Sequence, residues 1–170
     1  MDIKKFIRTI PNFPKPGIDF KDITPLLGDN VAFLSSVQSL SSKFDTNVVD
    51  LIVAPESRGF IFGVGVSVIL NKGFVPVRKP GKLPFETYKQ SYDLEYGKDT
   101  LEIHKDGIKK GQHVILVDDV LATGGTMKAC IELVEKCGGV VVGCSFLIEI
   151  VDLNGRKNLE PYSIHSLIQY

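Results

Sequence analysis

The sequence has no surplus of either charge, few cysteines and no long uninterrupted apolar run. Its 20 basic and 20 acidic residues give a formal net charge of zero, so we expect no nucleic-acid-binding face, which would need a basic excess. Cys130, Cys137 and Cys144 are odd in number and form no C-x-x-C pair. They predict buried thiols in a reducing cytoplasm rather than disulfides or a zinc site.

The longest apolar stretch is too interrupted to predict a membrane span. It covers residues 60–70 and contains Gly63, Gly65 and Ser67, whereas a spanning helix needs about 20 predominantly apolar residues. The beginning of the chain mixes charged and apolar side chains and lacks the core of a signal peptide. We therefore expect a cytoplasmic protein without a membrane partner, and a length of 170 residues suits one domain.

Strand-like and helix-like stretches alternate along the chain. This alternation is typical of βαβ units and predicts an α/β fold, with a mainly parallel twisted sheet flanked by helices. Asp29 or Asn30 is placed to cap the first long helix. The predicted helices cover residues 31–44, 60–70 and 127–137, and the predicted strands cover 48–54, 74–77, 114–117, 140–148 and an edge at 165–167.

Two segments fit neither the helical nor the strand period. Residues 13–25 are too rich in proline for a regular element and predict a stiff extended arm. Residues 78–93 are rich in Lys, Pro, Gly and Tyr and are long for a connection. We interpret residues 78–97 as a flexible lid, with an inert surface excursion as the alternative.

The most informative segment is residues 114–126, which read V-I-L-V-D-D-V-L-A-T-G-G-T. An apolar strand leads into the adjacent carboxylates Asp118 and Asp119, and small and hydroxyl residues then precede a helix. Ligands bind at the carboxyl ends of parallel strands, and a glycine-containing turn at a helix N-terminus suits a phosphate. The carboxylates suit the vicinal hydroxyls of a ribose, or a metal ion attached to them. A phosphate beside a diol describes a phosphoribosyl group.

A second strand-to-helix turn has a similar character. Residues 54–60, A-P-E-S-R-G-F, follow a predicted strand and open a glycine-containing helix. Ser57 and the N–H groups near Gly59 can hold phosphate oxygens, and Arg58 adds a fork of donors. The chain therefore has two candidate anion-binding turns.

Segment 114–126 resembles the signature with which type I phosphoribosyltransferases bind 5-phosphoribosyl 1-pyrophosphate (PRPP). From about Phe6 to the C-terminus, the chain resembles those members of the family that act on adenine. The resemblance implies a purine salvage enzyme that transfers the 5-phosphoribosyl group from PRPP to adenine, giving AMP and pyrophosphate. It also implies a homodimer, and a Mg²⁺ ion bound through PRPP or pyrophosphate rather than in an all-protein cage.

The resemblance implies a role for each candidate residue. Asp118 and Asp119 hold the ribose hydroxyls and count as catalytic together with Glu95, which handles the proton of the attacking ring nitrogen. A hood of residues 1–30 covers the base, and Tyr96 helps the lid exclude water. The Glu56–Ser57 peptide bond is expected to be cis. The 5′-phosphate is assigned to Ala122, Thr123, Gly124, Gly125 and Thr126, the pyrophosphate to Ser57, Arg58, Arg78, Lys79 and Lys82, and adenine to Ile18, Asp19 and Lys21.

The alternatives differ in the base or in the class of protein. A phosphoribosyltransferase for xanthine, hypoxanthine or orotate would share the PRPP signature, but the hood and the S-Y-D-L-E-Y-G sequence at 91–97 favour adenine. A PRPP-binding regulator would need a DNA-binding region and a basic face. A dinucleotide-binding oxidoreductase would need G-x-G-x-x-G after its first strand, whereas Gly63 and Gly65 lie inside a helical pattern. Glu102 is a nearby competitor for the role of Glu95.

Overall fold

A five-stranded parallel sheet with helices on both faces forms the centre of the protein. The computed structural model describes residues 1–93 and 97–170. It confirms the α/β class predicted from the alternation of strands and helices. In chain order the elements are β1 (Arg8–Ile10), β2 (Phe20–Asp22), α1 (Thr24–Gly28), α2 (Asn30–Ser41), β3 (Leu51–Pro55), α3 (Arg58–Leu70), β4 (Gly73–Val77), β5 (Thr87–Asp93), β6 (Lys98–His104), β7 (His113–Leu121), α4 (Gly125–Lys136), β8 (Val140–Glu149) and β9 (Ile164–Gln169). Short 3₁₀ turns cover Ile3–Phe6, Val151–Leu153 and Gly155–Leu159.

The central sheet has the strand order β4–β3–β7–β8–β9, and its pairings are parallel. Side chains alternate between the two faces along a strand. Ile52 and Ile115 therefore share one apolar core with α2 and α3, whereas Val53 and Leu116 share a second core with α4. Because both faces are covered, β3 is buried along its whole length, which explains its continuous apolar sequence.

The connections from β3 and β7 run in opposite directions across the sheet. From β3 the chain passes through α3 to β4 at one edge, and from β7 it passes through α4 to β8 on the other side. Since α3 and α4 pack on opposite faces, the turns after β3 and β7 diverge and leave a crevice between them. Ligands bind at such switch points in parallel α/β sheets.

The structure confirms the predicted start of α2 and corrects the predicted end of β7. Asp29 caps α2 as predicted, and its Oδ1 accepts hydrogen bonds from the N–H groups of Val31 and Ala32 at 3.1 and 2.9 Å. The predicted strand 114–117 is too short, because β7 continues to Leu121 and Asp118 pairs in register with Phe146 of β8. The apolar signal stops at the aspartates, but the backbone ladder does not. In the described part of the chain, no helix combines the length and apolar character needed to cross a membrane.

The prediction that residues 78–93 have no regular structure is wrong for their second half. β5 pairs antiparallel with β6, from Thr87 opposite His104 to Asp93 opposite Lys98. Tyr88 and Tyr92 lie on one face of this ribbon and pack against the core that contains α4. Tyr88 and Tyr92 are four residues apart, a spacing that places both side chains on the same face of a strand. Closure of the lid stays a prediction.

The N-terminal arm is also more regular than its prolines predicted. β1 and β2 form a two-stranded antiparallel sheet, and α1 follows directly. Arg8 joins the two strands through its Nε and Nη2 atoms, which donate to Asp22 Oδ2 at 2.9 and 2.7 Å. Pro25 lies at the start of α1, where a missing N–H removes no helical hydrogen bond.

A buried carboxylate ties the end of β8 to the segment that follows it. Glu149 accepts two hydrogen bonds from Arg156, at 2.6 Å from Nε and 2.7 Å from Nη2, and further ones from Ser166 and Gln169 of β9. Arg156 Nη1 also donates to the Ile164 carbonyl at 2.9 Å. The hydrogen bond from Arg156 outweighs burial and lowers the pKa of Glu149 from 4.5 to about 2.

The Glu149–Arg156 pair predicts a specific acid dependence of stability. A lowered folded-state pKa contributes stability that is present above the ordinary pKa of 4.5 and is lost as the pH falls toward 2. Arg156→Met should therefore lower the free energy of unfolding by about 2 kcal/mol at pH 7. Urea titrations at pH 7, 5 and 3 should show the gap to wild type narrowing with acidity. Lys157→Met is the exposed control, and a gap independent of pH would contradict the prediction.

Candidate active site

A cavity of about 830 Å³ opens at the switch point between β3 and β7. It brings together the N-terminal arm, the turn after β3, the end of β7 and the segment after β8, which are far apart in the sequence. The residues that line it are Gly17, Ile18, Asp19, Phe20, Lys21, Glu56, Ser57, Arg58, Asp118, Asp119, Val120, Ala122, Thr126, Ile150, Asp152, Leu153 and Tyr170.

A smaller cavity of about 80 Å³ lies beside it, over the turn from β7 to α4. Its lining includes all of residues 122–126, the predicted phosphate-binding residues. Gly124 has φ +85°, a left-handed conformation that glycine adopts readily, and α4 begins at Gly125. The first N–H groups of a helix have no intrahelical partner and carry partial positive charge. The turn therefore has the size and polarity of a phosphate cradle.

Asp118 and Asp119 lie side by side where β7 meets the large cavity. Asp118 Oδ1 accepts a hydrogen bond from the Asp119 N–H at 2.9 Å. Gly59 lets α3 approach this carboxylate, because a Cβ at position 59 would lie 2.7 Å from Asp118 Oδ1. Asp119 is 5% exposed, and its Oδ2 is buried without a hydrogen-bond partner among the described residues. Asp118 and Asp119 both line the cavity, where their carboxylates suit the hydroxyl donors of a diol such as that of a ribose.

Burial perturbs the pKa values of both carboxyl groups. Burial raises the pKa of Asp118 well above its usual value, and the charge of Asp119 raises this pKa further. Burial also raises the pKa of Asp119, but the Arg58 guanidinium opposes the increase. Arg58 Nε lies 2.8 Å from Asp119 Oδ2 as an ion pair without hydrogen-bond geometry. Arg58 therefore favours the charged form of Asp119 over that of Asp118.

Arg58 also contacts the N-terminal arm. Its guanidinium carbon lies 5.1 Å from the centroid of the Phe20 ring, within the range of a cation–π interaction. The arginine thus connects the arm to the carboxylate pair, in addition to its position in the turn after β3. Its predicted contact with pyrophosphate stays a prediction.

The turn after β3 has the predicted backbone geometry, with a cis Glu56–Ser57 peptide bond. Glu56 binds the start of the lid. Its Oε1 accepts hydrogen bonds from the Lys79 N–H at 2.8 Å and from Arg78 Nε at 3.2 Å, while its Oε2 accepts one from Lys82. Burial favours the neutral acid, but the hydrogen bonds from Lys82 and Lys79 outweigh it and lower the pKa of Glu56.

A chain of polar side chains links the lid to residues 122–126, the turn between β7 and α4 that is called the phosphate turn below. Lys79 forms an ion pair with Asp99, which accepts a hydrogen bond from the Tyr92 hydroxyl at 3.1 Å. Tyr92 in turn accepts a weaker one from Thr126 Oγ1 at 3.4 Å. Burial alone would lower the pKa of Lys79, but the hydrogen bond to Asp99 and the further interactions with Asp99 and Tyr92 together raise it. Lys79 is therefore held as a cation next to the site.

The structure groups the sequence-predicted residues unequally. Ile18, Asp19 and Lys21 line the large cavity as predicted, although Lys21 Nζ is engaged with Thr9 Oγ1 at 3.1 Å. Arg78, Lys79 and Lys82 are outside the set of described residues that line it, and each contacts the lining residue Glu56 instead. The predicted Glu95 and Tyr96 lie outside the described residues.

Sequence reasoning missed several residues that the fold brings to the site. Phe20 follows the predicted adenine contacts directly and could have been found from that position. Ile150, Tyr170 and Asp99 carry no local signal, because only the sheet and the β5–β6 ribbon bring them close to the cavity or the phosphate turn.

Comparison with known proteins agrees with this geometry. The sequence profile of the phosphoribosyl transferase domain matches residues 23–167. The chain therefore belongs to the phosphoribosyltransferase family. The adenine phosphoribosyltransferase of Clostridium botulinum (strain Eklund 17B) is 58% identical over 170 residues, which is 100% of this chain and 99% of the relative. Within the family, the chain is thus a member of the adenine phosphoribosyltransferases.

Solved structures support the same assignment. The crystal structure of adenine phosphoribosyltransferase from Thermoanaerobacter pseudethanolicus superposes with a TM-score of 0.96 at 55% identity, covering 99% of this chain and 98% of that one. The Saccharomyces cerevisiae enzyme, crystallised with an iminoaltritol bisphosphate and adenine, superposes with a TM-score of 0.85 at 36% identity, covering 98% of this chain and 96% of that one.

The raised pKa of Asp118 predicts that Asp118→Asn stabilises the protein. A buried carboxyl with a raised folded-state pKa destabilises the fold above that pKa, and the penalty disappears below the unfolded-state pKa. The amide keeps an oxygen that can accept from the Asp119 N–H. Thermal melts should therefore show a higher Tm for the variant at pH 8, by about 2–4 °C for each kcal/mol gained.

The stabilisation should shrink as the pH falls, because wild-type Asp118 then becomes neutral as well. Asp106→Asn, at an exposed carboxyl, serves as the control and should leave Tm nearly unchanged at both ends of the range. An Asp118→Asn variant that melts below wild type at pH 8 would show that the carboxylate stabilises the fold.

Proposed function

We propose that this chain transfers the 5-phosphoribosyl group of PRPP to adenine within the large cavity, giving AMP and pyrophosphate. One observation carries the proposal: a phosphate-sized helix N-terminus, a pair of cavity-lining carboxylates and a second strand-to-helix turn converge at one switch point. These parts match a phosphate, a ribose diol and a pyrophosphate in the order in which PRPP carries them.

The substrate lies along the end of β7. Residues 122–126 hold the 5′-phosphate with N–H groups and hydroxyls, and Asp119 accepts a hydrogen bond from a ribose hydroxyl. Asp118 completes the diol contact. Fixing phosphate and diol at both ends positions the anomeric carbon for in-line attack.

The pyrophosphate group lies near the turn after β3. Ser57 and Arg58 contact it directly, while Arg78, Lys79 and Lys82 exchange the carboxylates of Glu56 and Asp99 for phosphate oxygens when the lid closes. Asp118 and Asp119 are hard oxygen donors and would face a Mg²⁺ ion that PRPP carries into the cavity. When bound with PRPP, Mg²⁺ supplies positive charge that stabilises the leaving pyrophosphate.

Adenine lies under the hood, against Ile18, Asp19 and Lys21. The bond from the anomeric carbon to pyrophosphate breaks as the ring nitrogen attacks, and the displaced pyrophosphate keeps the electron pair. Glu95 takes the proton that the ring nitrogen loses, and Tyr96 helps to exclude water, whose attack would hydrolyse PRPP.

The function is tested by offering adenine, hypoxanthine, guanine, xanthine and orotate in parallel with PRPP and Mg²⁺. We expect AMP from adenine, no comparable product from the other bases, and loss of turnover when Mg²⁺ is chelated.

Asp119→Asn should reduce kcat/KM about a hundredfold, because the misplaced ribose no longer presents its anomeric carbon in line. Asp106→Asn should keep wild-type activity. A nucleotide of another base, or a fully active Asp119→Asn variant, would contradict the respective assignments.

We also propose that the protein is a homodimer that buries the outer face of α3. Ile61, Val64, Val68 and Ile69 on this helix are 37%, 46%, 73% and 41% exposed. Val31 and Leu34 of the neighbouring α2 add to the apolar surface at 57% and 49% exposure. Because α3 begins at Arg58, a partner on this face would stand next to the pyrophosphate turn and could share lid lysines with it.

The dimer is tested by Val68→Glu. A carboxylate at the centre of the α3 face should be excluded from an apolar interface, so sedimentation velocity should show a monomer where wild type is a dimer. Val140→Glu, on a residue 46% exposed at the start of β8, is the matched control and should leave the dimer intact. Equal sedimentation of all three proteins as dimers would place the interface elsewhere.

A cytoplasmic location forms part of the proposal. Cys130 and Cys144 are buried as free thiols, and Cys137 is a half-buried one. Free thiols of this kind are typical of a reducing compartment.

A further inference from the structure

The phosphate turn is supported from outside by the 3₁₀ segment Gly155–Leu159. The two approach each other at glycines. A Cβ at Gly124 would lie 2.7 Å from the Gly155 carbonyl oxygen, and a Cβ at Gly155 would lie 2.2 Å from the Ala122 carbonyl oxygen. Neither distance is possible for a larger residue without displacement of the backbone. The segment is therefore in direct backbone contact with the turn that holds the 5′-phosphate.

One hydrogen bond joins the segment to the turn. Asn158 Nδ2 donates to the Thr123 carbonyl oxygen at 2.7 Å. In a trans peptide unit the carbonyl and the following N–H point in opposite directions. Holding the Thr123 carbonyl on the side of Asn158 therefore directs the Gly124 N–H to the opposite side of the peptide plane. The left-handed conformation of Gly124 makes this orientation sensitive, since glycine also populates other regions at little cost.

The orientation of this peptide matters for an anion. A carbonyl oxygen turned toward the phosphate would repel it, whereas an N–H group would bind it. Donation from Asn158 stabilises the orientation in which the Thr123 carbonyl faces Asn158 and the Gly124 N–H faces the opposite side. The side chain thus acts on the phosphate through the backbone of the turn without contacting the ligand.

The segment itself is anchored to the sheet. Arg156, two residues before Asn158, forms the bidentate pair with Glu149 at the end of β8 and donates to the Ile164 carbonyl next to β8. Leu159 is buried in the core that contains α4. Asn158 is therefore carried by a segment fixed on both sides, although its own side chain is exposed.

We propose that Asn158 is a positioning residue for the 5′-phosphate, which orients the Thr123–Gly124 peptide and is itself held by the Arg156–Glu149 pair. The proposal rests on the proposed function, in which the turn binds the 5′-phosphate of PRPP. It extends the site to a side chain on the outer surface of the turn.

The test compares Asn158→Leu, which keeps a similar shape without a donor, with Asn158→His, which restores an N–H donor near the same place. We expect the Leu variant to raise the KM for PRPP and the Kd for ribose 5-phosphate about five- to tenfold, the loss of one hydrogen-bond contribution. The His variant should recover most of the loss. The KM for adenine and the Kd for inorganic pyrophosphate should stay within about twofold of wild type.

Lys157→Leu is the matched control, because Lys157 is also exposed and adjacent in the segment. A general loss of stability would weaken all ligands together and lower Tm, so equal losses for pyrophosphate and ribose 5-phosphate would overturn the proposal. An unchanged Kd for ribose 5-phosphate in the Leu variant would overturn it as well. Titration with ribose 5-phosphate requires no turnover, so a failure of AMP formation in wild type remains distinguishable from a failure of the positioning role.

Discussion

Two adjacent carboxyl groups at the end of β7, Asp119 buried and Asp118 partly buried, are the constraint on which the rest of the site depends. Burial and the proximity of a second carboxyl group both disfavour the charged form of a carboxylate. The same low-dielectric surroundings strengthen the hydrogen bonds that a carboxylate accepts. Two neighbouring groups stabilise the charged forms. The Asp119 N–H donates a hydrogen bond to Asp118, and Arg58 Nε lies 2.8 Å from Asp119 Oδ2. Gly59 lets the helix that carries Arg58 come close enough. The pair therefore accounts for much of the local sequence of both turns.

The basic groups of the site are balanced in the same manner. Glu56 binds Arg78 and Lys82, and Asp99 binds Lys79, so the cations assigned to pyrophosphate are held near the site by carboxylates. These carboxylates also explain how a chain of zero net charge can have a locally basic lid. In the proposed reaction, phosphate oxygens replace them as partners, which couples substrate binding to the position of the lid.

The support of the phosphate turn shows how far a small site extends into the fold. The turn contributes backbone groups, whose direction depends on peptides that could rotate at Gly124. The neighbouring segment restricts that rotation, and the Glu149–Arg156 pair fixes the segment to β8 and β9. Rigid elements outside a binding site can in this way determine the geometry inside it.

The sequence by itself determined the α/β class, the central strands and helices, and the positions of the two strand-to-helix turns, because apolar periodicity and glycine or aspartate positions act locally. The expectation of a cis Glu56–Ser57 bond came from resemblance, whereas the pairing of Asp118 and Asp119 with a ribose diol followed from the residues themselves. Strand β5 has no apolar alternation that predicts it, and β7 is longer than its apolar residues predict because its hydrogen-bond ladder continues past the aspartates.

Only the tertiary structure decided which distant residues meet. The contact of Arg58 with Asp119, the pairing of Glu56 with Lys82 and the donation from Asn158 to Thr123 join segments separated by tens of residues. No local pattern encodes such contacts, since they follow from the order in which parallel strands are placed in the sheet. The direction of a side chain at the switch point depends on that order, and so does the chemistry of the cavity.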